Sequence, residues 1–152
     1  MIRLPGVTDT RAFGARLAAI LRPGDLIVLT GPLGAGKTAL VQGIGAGLGV
    51  QGRVVSPTFV IARVHRGCLP MVHVDAYRLR SLAEVDDLDL DIDVSDAVTV
   101  VEWGAGLVEQ LTDARLEIEL SRAEASEDRV ARLKPHGGDW AERLATMQPP
   151  ER

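Results

Sequence analysis

Only one cysteine, Cys68, occurs in the 152 residues, so no internal disulfide framework can staple the chain. No stretch approaches the roughly 18 consecutive apolar residues of a membrane-crossing helix. The first segment lacks a basic start followed by a long apolar run, so it does not read as a secretion signal. Lysine is scarce as well: of 17 basic residues only Lys37 and Lys134 are lysine. In a chain that meets its other needs for positive charge with arginine, a lysine is a chemical choice, a compact ammonium instead of a planar fork. An excess of positive charge is also missing. The net charge of −4 and pI near 5.4 argue against autonomous binding to a polyanion, DNA included, and leave any contact with nucleic acid to a partner. These absences, with 46% hydrophobic residues, point to one cytoplasmic domain with one buried core and no membrane contact. The expected bounds are residues 1–140 for the domain and 141–152 for a fraying tail.

Glycine is abundant where lysine is chosen. Residues 31–38 read GPLGAGKT directly after the apolar run Leu26-Ile27-Val28-Leu29. The spacing of Gly31, Gly36, Lys37 and Thr38 fits the phosphate-binding loop G-x-x-x-x-G-K-[ST]. Its glycines allow successive backbone N–H groups to converge on phosphate oxygens, Lys37 would reach the β- and γ-phosphates, and the Thr38 hydroxyl would ligate magnesium. A helix opening at Lys37 would add its positive end. Residues Leu33, Gly34, Ala35, Gly36, Lys37, Thr38 and Ala39 are therefore the expected nucleotide-contacting stretch, with Mg2+ beside the phosphates. Two overlapping glycine motifs fail. Gly34-x-Gly36-x-x-Ala39 would pass for a dinucleotide fingerprint, but no acid lies in Gln51–Thr58 where one is required. Gly47-x-Gly49-x-x-Gly52 would end a helix instead of following a strand. Within the helix Gly43, Gly45 and Gly47 each cost about 1 kcal/mol against alanine, which suggests close backbone packing or a soft second half.

Periodicity orders the rest. Thr8 or Asp9 can cap a helix to about Leu21, before Arg22-Pro23-Gly24 stops it. Strands follow at 25–30, 59–66 and 71–74, the last two hairpin-like across Gly67, and at 98–101 ending on Glu102. Short helices are expected at 81–87, at 106–111 and around Trp140. Residues 115–120 and 129–133 read as strands that pair as a hairpin. The expected fold class is α/β: a mixed, mostly parallel sheet of the P-loop NTPase kind, flanked by helices, with antiparallel hairpin additions.

Hydrolysis needs more than a phosphate loop: an acid for the magnesium shell and a group that orients water. Asp75 and Glu102 each end an apolar strand, at the edge where open α/β sheets bind ligands, and are the candidates for metal and water. Ser56-Pro57-Thr58 could sense the γ-phosphate, and is equally an ordinary turn. The acidic run from Glu84 to Asp96 has no basic residue; its sixth and twelfth positions from Asp89 are Val94 and Val100, which rejects a calcium loop and leaves a solvated or partner-docking surface. His65, Cys68 and His73 invite a zinc reading, but with no fourth ligand nearby a structural role is favoured for each.

Taken in order, GPLGAGKT, SPTF at Ser56–Phe59, HVDAYRL at His73–Leu79 and VEW at Val101–Trp103 resemble the TsaE/YjeE family over about Thr8 to Leu120. The resemblance implies that the nucleotide is ATP, in a small bacterial P-loop ATPase required for N6-threonylcarbamoyladenosine in tRNA, working with TsaB- and TsaD-type proteins, with tRNA reached only through that complex. It implies further that Thr58 belongs to a switch-like segment of the catalytic set, that Lys37, Asp75 and Glu102 complete that set, that Thr38, Glu102 and Asp75 serve the metal, and that Trp103 lies close to the nucleotide. Pro32, Ala39, Gly104 and Asp89 depart from the family pattern; none of them replaces Lys37, Thr38, Asp75 or Glu102. Two other functions fit a phosphate loop: a small-molecule kinase, disfavoured because no lid-like insertion is present, and a scaffold that binds nucleotide without turnover.

Overall fold

In the computed structural model, residues 2–32, 36–50, 62–65, 67–75, 96–102, 114–122 and 128–147 are described. Among them lie seven strands and three helices, in the order β1 (Ile2–Leu4), α1 (Val7–Ala18), β2 (Leu26–Thr30), α2 (Lys37–Gly47), β3 (Ala62–His65), β4 (Met71–Asp75), β5 (Val98–Glu102), β6 (Arg115–Arg122), β7 (Arg129–His136) and α3 (Trp140–Ala145). The strands make one sheet in the order β1-β7-β6-β2-β5-β4-β3. Its central four, β6, β2, β5 and β4, are parallel, while β3, β7 and β1 join antiparallel. The mostly parallel sheet with hairpin additions is the expected one. Both expected hairpins form, and the second is longer than its apolar alternation suggested, running to Arg122 and His136.

Two boundaries differ from the sequence reading. Helix α1 starts at Val7 with Gly6 as its cap, because Asp9 sits three positions in and its carboxylate accepts the Gly6 N–H at 2.9 Å; Thr8 and Asp9 are thus inside the helix they were expected to cap. The helix ends at Ala18, after which residues 19–21 wind on through tighter bonds to the third residue back. Strand β1 was not foreseen, since three residues are too few to display a period. The helices expected at 81–87 and 106–111 lie outside the described residues.

One face of the sheet carries the core. Ile27 and Leu29, Val98 and Val100, and Leu116 and Ile118 are all fully buried there with Phe13 and Leu17 of α1 and Leu40 and Ile44 of α2. The two helices approach through their glycines. A Cβ on Gly14 would stand 2.6 Å from the Leu40 carbonyl oxygen, one on Gly47 2.5 Å from the Ala18 Cβ, and one on Gly43 would overlap the Arg11 carbonyl. Close backbone packing is therefore the reason for Gly43 and Gly47, and it holds α2, which starts at Lys37, at a fixed height over the sheet.

A charged latch closes the opposite end of β2. Arg143 of α3 donates to both Asp25 carboxylate oxygens, at 2.7 and 2.9 Å, to Asp139 at 3.0 Å and to the Ile20 carbonyl at 2.9 Å. Its guanidinium carbon lies 3.9 Å from the centre of the buried Trp140 ring. The hydrogen bonds that Arg143 donates to Asp25 are the main reason that its pKa is raised.

Candidate nucleotide site

The parallel register decides which groups meet at the C-terminal edge. Glu102 pairs with Leu29 on β2 on one side and with Asp75 on β4 on the other. Two residues beyond Leu29 the chain leaves β2 at Gly31. The two strand-end acids therefore stand side by side, Glu102 one strand from the loop and Asp75 two, with strands about 4.8 Å apart.

The loop returns into α2 through Gly36, whose φ of +100° lies in the left-handed region that favours glycine. Lys37, the first residue of α2, is buried, and its Nζ donates to the carbonyl oxygens of Gly31 at 2.6 Å and Pro32 at 3.1 Å. These bonds tie the first residue of α2 back to the segment that leaves β2. Thr38 follows in the first turn, exposed, and Ala39 comes next. Helix α2 has no acid in its first turn, so nothing on it opposes an anion at its positive end.

Glu102 is almost fully buried, and its Oε2 lies 2.6 Å from Nε2 of the wholly buried His73. Among the described residues no group of three or more His, Cys, Asp or Glu side chains gathers into a metal cage. A magnesium ion held by one hydroxyl, one carboxylate and phosphate oxygens requires no such cage, and the Thr38 hydroxyl and the Glu102 carboxylate are the donor types that could hold one.

The structure thus assembles Gly36, Lys37, Thr38, Asp75 and Glu102 at one edge. Leu33, Gly34, Ala35, Thr58 and Trp103 lie outside the described residues. Two neighbours escaped the sequence reading. His73 had been assigned to packing, yet it touches an acid of the site. Arg129, at the start of β7, has its Cγ 4.0 Å from where a Cβ on Gly36 would be, with Thr10 of α1 on the same side. No local pattern marks Arg129; only its pairing with Leu4 and Arg122 places it at this edge.

A family model described as threonylcarbamoyl adenosine biosynthesis protein TsaE matches residues 4–131. The chain belongs to the TsaE family. The tRNA threonylcarbamoyladenosine biosynthesis protein TsaE of Streptomyces coelicolor is 55% identical over 138 residues, which cover 86% of this chain and 93% of that protein. Its counterpart from Mycobacterium tuberculosis is 51% identical over 138 residues, 84% of this chain and 82% of that one. The one from Bacillus subtilis is 42% identical over 117 residues, 76% and 73% of the two chains. In three dimensions the fold matches the crystal structure of Bacillus subtilis YdiB with a TM-score of 0.78 and 32% identity, over 95% of this chain and 90% of that one. The match to the TsaE model ends inside β7, so the Arg143 latch lies beyond it. Among the described residues no helix is long and apolar enough to cross a membrane.

Proposed function

We propose that this TsaE-family chain binds ATP with magnesium, hydrolyses it, and thereby supports synthesis of threonylcarbamoyladenosine in tRNA in the cytoplasm, with TsaD- and TsaB-type partners. The observation that carries the reading is the buried Lys37, its ammonium bonded back to the Gly31 and Pro32 carbonyls where the chain leaves β2, one strand from the buried Glu102.

In this reading the loop N–H groups and the α2 N-terminus bind the β-phosphate, and Lys37 transfers its hydrogen bonds from the loop carbonyls to phosphate oxygens as charge moves toward the leaving group. Arg129 adds positive charge beside Gly36. Glu102, on the strand next to β2, would hold magnesium with the Thr38 hydroxyl, and Asp75, one strand further, would orient the attacking water and take up its proton. Magnesium held by these residues would supply charge neutralisation for the phosphates. As the water oxygen bonds to the γ-phosphorus, the bridging oxygen–phosphorus bond breaks and its electron pair leaves on ADP. Thr58 and Trp103 take the switch and nucleotide-contacting roles that the family resemblance implies. A net charge of −4 supplies no long-range attraction for RNA, so tRNA is held by the partners.

Two experiments test this. Lys37→Ala and Thr38→Ala should abolish phosphate release from ATP while circular dichroism and thermal unfolding stay near wild type; turnover retained by both purified variants refutes the site. Depletion from the bacterial source should lower threonylcarbamoyladenosine in bulk tRNA, read by mass spectrometry of nucleosides, and an unchanged level refutes the pathway.

A further inference from the structure

We infer that His73 is a positioning residue that fixes the orientation of the Glu102 carboxylate toward the metal; the inference rests on the nucleotide-site reading above. The register of the parallel strands creates the contact. His73 of β4 pairs with Val100 of β5, and Glu102 stands two residues further along β5, on the same face as Val100. A diagonal neighbour of this kind is within reach of a long side chain. The row that holds His73 also holds Met71, and Val100 flanks it on β5, both fully buried. A polar ring in an apolar row is costly to bury unless it meets a polar partner. The partner here is the acid at the strand end: Nε2 to Oε2 is 2.6 Å, and both side chains are buried.

The chemistry of the pair suits a metal site. An ionised carboxylate only accepts, so this contact requires the proton on Nε2. Oε2 is thereby pinned, and Oε1 is the second acceptor that the same carboxylate offers. Without the contact, a glutamate at a strand end has three rotatable bonds to order before it can meet a cation. Arginine or lysine at position 73 could also pin it, but each would bring a full positive charge against the group that must attract magnesium. An imidazole can donate without that charge. Outer partners of this sort typically change metal affinity by about 10- to 100-fold when removed.

The test compares His73→Leu, His73→Gln, Glu102→Gln and the double variant His73→Gln/Glu102→Gln, each first checked for folding by circular dichroism and thermal melting. Glutamine can place an amide N–H close to where Nε2 stands; leucine cannot. Binding of a fluorescent ATP analogue is measured in EDTA, and Mn2+ binding to the complex with a non-hydrolysable ATP analogue is measured by electron paramagnetic resonance, so neither reading depends on turnover. His73→Leu should bind nucleotide in EDTA within twofold of wild type but hold Mn2+ on the order of tenfold or more weakly. His73→Gln should recover most of that loss, and should add no further loss in the Glu102→Gln background. Wild-type Mn2+ affinity in folded His73→Leu overturns the inference, as does an equal fall in EDTA nucleotide binding, the mark of a packing role alone. If His73→Leu does not fold, His73→Gln decides: an added loss of Mn2+ affinity on top of Glu102→Gln overturns the inference. The site reading fails separately, through a wild-type protein that binds no ATP analogue at all.

Discussion

Asp25 and Arg143 face each other through both carboxylate oxygens and two guanidinium nitrogens, at the end of β2 opposite to the loop that holds Lys37. The strand is thus fixed at one end by a charge pair and leads at the other into the segment that ends in the buried Lys37. Both side chains of the pair are 10% exposed. Removing Arg143 leaves a buried carboxylate without its main partner and strips the cation from the Trp140 ring. Arg143→Ala should therefore lose about 3 kcal/mol or more of stability in urea unfolding, with ATP affinity changed less than twofold. A stability change under about 0.5 kcal/mol would show that water replaces the latch without loss.

The latch also titrates. Burial by itself would raise the Asp139 pKa, but the hydrogen bond from Arg22 at 2.8 Å and the charge and hydrogen bond of Arg143 outweigh it, and the pKa is lowered. A carboxylate lowered in the folded state adds stability above its unfolded value, near pH 4, and loses it as pH falls through the folded value. Melting temperature should decline below about pH 4, and Asp139→Asn should decline less steeply over the same interval. Parallel melting curves for the two proteins from pH 5 to pH 2 are the result that contradicts this.

Alanine normally improves a helix over glycine by about 1 kcal/mol. Gly43 should show the reverse sign, because the added Cβ meets the Arg11 backbone of α1, which cannot step aside as a flexible side chain would. Gly43→Ala should destabilise by about 1 to 3 kcal/mol and weaken nucleotide binding, since α2 carries Lys37 and Thr38. A stabilised Gly43→Ala variant would mean that the two helices separate easily.

The expected phosphate loop rests on a fixed chemical task for each position at a fixed spacing, and of its residues the structure describes Gly31, Gly36, Lys37 and Thr38, with Lys37 buried. Strand ends were legible for a similar reason: the apolar runs at 71–74 and 98–101 stop at acids. What the sequence could not disclose is adjacency between distant elements. His73 and Glu102 are 29 residues apart, and Arg143 and Asp25 are 118 apart. Only the placement of β4 beside β5, and of α3 below β2, brings these pairs together. Glycines in α2 announced either close packing or softness, and the choice between them depended on α1, whose own Gly14 carried no such signal.

The order of the parallel strands separates the two acids. Glu102 stands next to β2 and Asp75 one strand beyond it, so loss of charge at the first should act on the metal and at the second on the water. Glu102→Gln should raise the magnesium concentration needed for half-maximal hydrolysis by on the order of tenfold and also lower kcat. Asp75→Asn should lower kcat by about 100-fold or more with magnesium dependence and KM for ATP nearly unchanged, the pattern of an interaction made mainly in the transition state. Steady-state phosphate release across magnesium and ATP titrations distinguishes them. If the two variants exchange these patterns, the acids exchange roles. If both hydrolyse ATP normally, neither strand end takes part, and the proximity of Glu102 to the phosphate loop is a feature of the fold alone.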